Sequence, residues 1–148
     1  MNDSQLSAIN TTKTNEPLLF VLQRGDTIHE KIITICQEKN WNSAIIMNGI
    51  GAIEDPELGY YQLATKTYQK KHFSGDFEVI TFTGNISISN HKVFPHIHCS
   101  ISDTNCNVYG GHFFNATVAL TLELFIMPVS YSIIRQFDET TGLNLIQH

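Results

Sequence analysis

Three of the seven histidines, His96, His98 and His112, fall on two short segments separated by an evident turn, in the stretch FPHIHCSISDTNCNVYGGHFF. In a β-strand, residues two apart project to the same face, so His96 and His98 point together. Asp103-Thr104-Asn105-Cys106-Asn107 is rich in residues that tolerate tight or left-handed backbone. If Asp103 pairs with Asn107 across a three-residue loop, counting back along both strands sets His98 opposite His112. Directly opposed Cβ atoms lie about 4.5–5.5 Å apart and diagonal neighbours about 7–8 Å, so three imidazoles can converge on one ion. Three nitrogen ligands leave a position open for water or substrate, as in catalytic zinc sites. A bulge at Gly110-Gly111 would shift the register and turn His112 away. The competing reading is three polar side chains on a half-exposed strand, hydrogen-bonded to their neighbours. Cys99, beside His98 on the opposite face, reads as core, and Cys106 sits too near the turn tip to join the cluster.

The elements that must position this hairpin follow from periodicity. Residues 1–16 are rich in Ser, Thr and Asn without apolar periodicity and read as a disordered N-terminal arm. Residues 17–148 read as a single domain. Leu18 to Leu22 is a first strand. Ile28, Ile32, Ile35 and Cys36 then share one face of a helix that ends near Asn40, with Thr27 and Glu30 at capping-box spacing, Asp26 a competing N-cap and Trp41 packing back on the core. Ser43 to Met47 reads as a strand stopped by Asn48-Gly49-Ile50-Gly51, and Leu58 to Ala64 as another. Lys66 to Phe73 is a polar segment holding the basic cluster Lys66, Lys70, Lys71 and His72. Phe77 to Phe82 and Asn85 to Ser89 follow around Gly84. From Thr117 to Met127, Val118, Leu120, Leu122, Leu124 and Ile126 share one face, and Ala119, Thr121, Glu123 and Phe125 the other. Tyr131 to Arg135 and Leu143 to Ile146 are final strands around a turn at Asp138 to Gly142. Many strands with one principal helix make an α+β domain with a mostly antiparallel β-sheet.

A chain of 148 residues is long enough for one sizeable core. With 14 acidic residues against 9 Lys and Arg, the formal charge of −5 opposes long-range attraction to nucleic acid or anionic membrane. The longest apolar run, around Val118 to Val129, is broken by Glu123 and Pro128 and is too short to span a bilayer. Three cysteines without zinc-type spacing, and no apolar leader, read as a reduced cytoplasmic protein. The lone Gly49-Ile50-Gly51 is no dinucleotide fingerprint, because Glu54-Asp55-Pro56 stands where a phosphate-binding helix would begin.

Several segments, taken in this order, resemble the PPC domain (plants and prokaryotes conserved), also called the PD1-like DNA-binding domain. They are Arg24-Gly25-Asp26, Gly49-Ile50-Gly51-Ala52, Tyr60-Tyr61, Lys66 with Tyr68, Phe77-Glu78-Val79 and Thr83-Gly84-Asn85-Ile86-Ser87. The series continues with His96-Ile97-His98, Ser102-Asp103, Gly110-Gly111-His112 and Glu123. The likeness runs from about Phe20 to Ile146. It implies a PPC-domain fold that assembles as a homotrimer, and zinc on the histidines matching His96, His98 and His112, as in some prokaryotic members. Ala116 departs from the glycine usual four residues after the GGH histidine. Plant members carry a basic AT-hook that this chain lacks, so their DNA-binding role does not transfer. In fold and three-histidine site the domain also looks like acetolactate decarboxylase, with a different histidine spacing.

Three functions are compatible with these residues. The first is a metal-dependent small-molecule enzyme or ligand-binding protein on a three-histidine zinc site. Glu123, interrupting an apolar strand, is its candidate acid/base or else a structural carboxylate. Arg24 is its candidate anion-holding group or else a structural ion pair. The second is a DNA-associated regulator, which the negative charge disfavours. The third is a trimeric protein-interaction module.

Overall fold

The computed structural model describes residues 16–147, so the N-terminal arm lies almost wholly outside the described residues. The elements are β1 (Leu18–Gln23), α1 (Ile28–Glu38), β2 (Ala44–Gln62), β3 (Thr67–His72), β4 (Asp76–Ser89), β5 (Lys92–Ser102), β6 (Val108–Pro128), β7 (Ile134–Asp138) and β8 (Leu143–Ile146). The α+β reading holds, with every pairing antiparallel except β4 with β7.

β2 pairs with both β6 and β4, β6 with β5, and β5 with β4, so the four long strands close into a ring. The core fills that ring and the face under α1: Leu22, Ile28, Ile32, Ile46, Phe82, Ile97, Phe113 and Leu124 are almost wholly buried. Phe82 and Phe113 meet edge to face with centroids 4.9 Å apart. Trp41 packs edge to face on Phe20 at 5.8 Å, as the helix exit requires.

Three expectations are corrected. β2 does not stop at Asn48-Gly49-Ile50-Gly51 but bends through them, with register shifts against β6. Phe77 to Phe82 and Asn85 to Ser89 do continue as one strand, β4, through Gly84, as their shared pattern suggested. A Cβ at Gly84 would collide with the carbonyl oxygen of His96, so the close approach of β5 calls for glycine here. Leu120 is 70% exposed although its parity matches Val118 and Leu122. Four steps of β6, Val118 to Leu122, oppose only two of β2, Ile53 to Gly51, and the surplus bulge throws Leu120 outward. The capping box does not form: Thr27 is the N-cap residue but makes no side-chain cap bond. Asp26 instead accepts from the Gln23 backbone N–H at 2.9 Å and from Lys31 at 3.3 Å.

Candidate metal centre and its cavity

The hairpin forms in the expected register. Asp103 and Asn107 close the turn through a backbone bond of 3.1 Å. The Asp103 carboxylate accepts from the backbone N–H groups of Asn105 and Asn107, both at 2.9 Å, and from the Tyr109 hydroxyl at 3.0 Å. Cys106 takes the left-handed position at φ 61°. With the turn fastened, His98 opposes His112, and Gly110-Gly111 continue the ladder against Ser100 and Cys99 without a bulge.

The three imidazoles stand on the outer face of the ring, away from the core. Ile97, Cys99 and Phe113 point inward between them. Ring centroids are 5.2 Å apart for His96–His98, 5.3 Å for His96–His112 and 5.5 Å for His98–His112, close to an equilateral triangle. One nitrogen from each ring lies within 4.8 Å of the others. Tetrahedral zinc at its usual bond length wants ligand nitrogens roughly 3.4 Å apart, so modest ring rotation closes the set. The donor set suits a borderline metal such as zinc. The His112 Nδ1 is buried without a hydrogen-bond partner, an arrangement that costs about 1–3 kcal/mol unless something engages it.

Residues of four other elements, together with Phe114 of β6 itself, surround these rings. Tyr68 of β3 lies 4.9 Å from the His112 ring and Phe114 lies 4.7 Å from it on another side. Gly59 opposes His112 on β2, and its missing side chain makes room for the Phe114 ring. Asn85 opposes His96 on β4. Arg135, on β7 beside β4, donates from Nη2 to His96 Nδ1 and to Asn85 Oδ1, both at 3.0 Å. Together they frame a cavity of about 360 Å³ whose lining includes His29, Tyr68, Phe94, Phe114, Arg135 and Leu143. His29, on the first turn of α1, brings a second buried Nδ1 without a partner.

Sequence reasoning missed His29 and Arg135. Each is a single polar residue on a segment far from the hairpin in sequence, with no local spacing to mark it. The structure does not bring Glu123 or Arg24 to the cluster. Glu123 sits far along β6, half-buried between Val21 of β1 and Ile50 of β2, and Arg24 is exposed in the turn after β1.

Burial pushes His96 down to about 4, helped by the Arg135 charge and by His98. Burial, then the neighbouring histidines and Lys70, pushes His112 down to about 4 as well. Both rings are therefore neutral, and able to ligate, at pH 7. In the unfolded chain they titrate near 6.5. Between these values the unfolded state holds more protons, so folding stability falls as pH drops from about 6.5 through 4. Metal-free protein should lose melting temperature across that window, and the double variant His96→Asn, His112→Phe should flatten the loss. Melting curves from pH 7 to pH 4.5 in the presence of a chelator check this.

Comparison with known proteins agrees with this fold. The Plants and Prokaryotes Conserved (PCC) domain matches residues 9–130. A metal-containing protein from Archaeoglobus fulgidus is 35% identical, with a TM-score of 0.83 over 90% of this chain and 94% of that one. A protein from Bacteroides thetaiotaomicron, described provisionally as DNA-binding, is 29% identical, with a TM-score of 0.85 over 91% of this chain and 94% of that one. Acetolactate decarboxylase from Bacillus subtilis subspecies spizizenii shares the fold alone, at 19% identity and a TM-score of 0.56 over 81% of this chain and 56% of that one. No curated protein matches the chain. A domain match over most of the sequence, a relative above 30% identity and a common fold make the chain a member of the Plants and Prokaryotes Conserved (PCC) domain family.

Proposed function

We propose that His96, His98 and His112 hold a zinc ion, and that the adjoining cavity binds a small molecule as an enzyme or ligand-binding protein. The convergence of three imidazoles, two of which line a largely apolar cavity, carries this reading. A bound zinc ion supplies Lewis acidity toward an oxygen of the ligand. The chain's own groups do the rest. Tyr68 and Phe114 brace the His112 ring, and Arg135 donates to His96 in the metal-free chain. His98 is the exposed member of the triad and marks the open side. His29 lines the same cavity, which Glu123 does not, and is the better candidate to exchange a proton with a ligand there. Titration of metal-free protein with zinc, followed by calorimetry, tests the reading. Saturable uptake lost in His98→Ala supports it, and an absence of uptake removes it.

The DNA-associated reading has the description of the Bacteroides thetaiotaomicron relative in its favour. The basic cluster is individually engaged here: Lys70 pairs with Glu57 at 2.8 Å, Lys66 donates to the Glu139 carbonyl at 2.6 Å, and Lys71 lies 4.6 Å over the Phe73 ring. These lysines make a weak phosphate-binding patch on a chain of net charge −5. A gel shift at low salt decides, and retarded DNA there would restore that function.

The homotrimer is proposed on the apolar outer face of β1, β2 and β6. Leu19 opposes Phe125, and Glu123 lies between Val21 and Ile50. Leu19, Val21, Met47, Ile50 and Phe125 are all substantially exposed on one chain, the kind of patch that marks a contact surface. Light scattering should give three chains per particle, and Val21→Asp with Ile50→Lys should yield monomer. No described helix is long and apolar enough to cross a membrane. A cytoplasmic setting, where thiols such as Cys36 and Cys99 stay reduced, fits the free cysteines.

A further inference from the structure

Arg135 is only 8% exposed, yet none of its hydrogen-bond partners among the described residues is charged. Its Nε donates to Ser87 Oγ at 2.9 Å, its Nη1 to the Asn144 carbonyl at 3.1 Å, and its Nη2 to Asn85 Oδ1 and His96 Nδ1 at 3.0 Å each. The two ion pairs among the described residues, Lys31–Asp26 and Lys70–Glu57, lie elsewhere. A guanidinium keeps its proton and carries five donors. Four are used, and one on Nη1 is left over. Proteins rarely leave a buried charge without a counter-charge, because its desolvation is then uncompensated.

The bond to His96 adds a second condition. Arginine only donates, so His96 Nδ1 must be the unprotonated nitrogen, with the proton on Nε2. A neutral imidazole in that state cannot serve a metal as well. A metal on Nδ1 displaces the arginine, and a metal on Nε2 sends the proton to Nδ1, where it faces the Nη2 donor. In both cases metal loading releases an Nη2 donor while one on Nη1 is spare. Two donors of one guanidinium fork are what a carboxylate accepts.

Resting on the zinc reading above, we infer that Arg135 is the anchor for a small carboxylate ligand that enters the cavity when His96 is engaged by metal. The other walls, Tyr68, Phe94, Pro95, Phe114, Leu143 and Leu145, suit a short apolar or aromatic body behind the carboxylate. The ligand supplies the missing counter-charge, and metal and anion then favour each other's binding reciprocally.

Benzoate and its neutral isostere benzamide probe this by calorimetry, on zinc-loaded wild type, metal-free wild type and zinc-loaded Arg135→Met. Benzoate should bind zinc-loaded wild type about 10- to 100-fold more tightly than the variant, as the loss of a charge-assisted pair implies. Benzamide should not distinguish the two. Zinc should bind Arg135→Met at least as tightly as wild type, since neither a competing donor nor a like charge remains; a merely structural arginine would loosen it. If Arg135→Met does not fold, Arg135→Lys carries the test, keeping the charge without the fork, with a loss of about tenfold. Equal benzoate affinity in wild type and variant, or with and without zinc, overturns the inference alone. Failure of wild type to take up zinc overturns the metal reading, and this inference with it.

Discussion

Zinc-loaded wild-type protein should melt well above its metal-free form, and His112→Phe should erase that difference without lowering the metal-free melting temperature. A ligand present at a hundredfold excess over its Kd stabilises by about 2.7 kcal/mol, roughly 5–10 °C for a domain of this size. Removing one of three ligands should weaken zinc by roughly 100- to 1000-fold, if the binding energy of structural zinc sites is shared among their ligands. Phenylalanine keeps the ring that packs between Tyr68 and Phe114. It also removes the buried Nδ1 that has no partner, so the metal-free protein loses a desolvated polar atom and no hydrogen bond. Differential scanning calorimetry with and without zinc measures both halves. A histidine cluster kept for packing alone would show no zinc-dependent rise in wild type.

Gly84→Ala should be among the most damaging single-methyl changes in the chain. Gly84 lies in β4 between β2 and β5, paired with Ile46 on one side and Ile97 on the other. The added Cβ would overlap the His96 carbonyl oxygen and come within 2.9 Å of the Ile97 Cα. Both obstacles are backbone, so no side-chain rotation relieves them. Overpacking costs about 1–3 kcal/mol and occasionally more; against backbone the upper end is expected, roughly 6–12 °C in melting temperature. The displaced segment is His96-Ile97-His98, so zinc affinity should fall together with stability. Calorimetric melting and zinc titration of the same variant read the two effects. Unchanged zinc affinity in a folded Gly84→Ala protein would mean that β5 is not what sets the ligand geometry.

The hairpin was legible in the sequence because its determinants are local. Strand parity fixes His96 with His98, and the Asp103 turn fixes His98 against His112. The helix was legible for the same reason, its apolar face recurring at helical spacing. The strand end drawn at Asn48-Gly49-Ile50-Gly51 was not. A glycine in a turn and a glycine under a crossing strand look alike in sequence, and only the neighbouring backbone tells them apart. Leu120 escaped for a related reason, because a bulge depends on how many residues the partner strand offers. Asn85 was visible only as a letter in a family motif. Arg135 and His29 reach the cavity through the parallel β4–β7 pairing and the packing of α1, neither of which leaves a periodic trace.

The central claim is that three histidines on the outer face of this domain hold a metal. Elemental analysis of protein produced and purified without a metal-affinity tag tests it most directly. The account predicts a stoichiometric zinc ion per chain in wild type and a trace in His98→Ala. Metal-free wild type that stays metal-free after incubation with zinc, or equal metal in the two proteins, would contradict it.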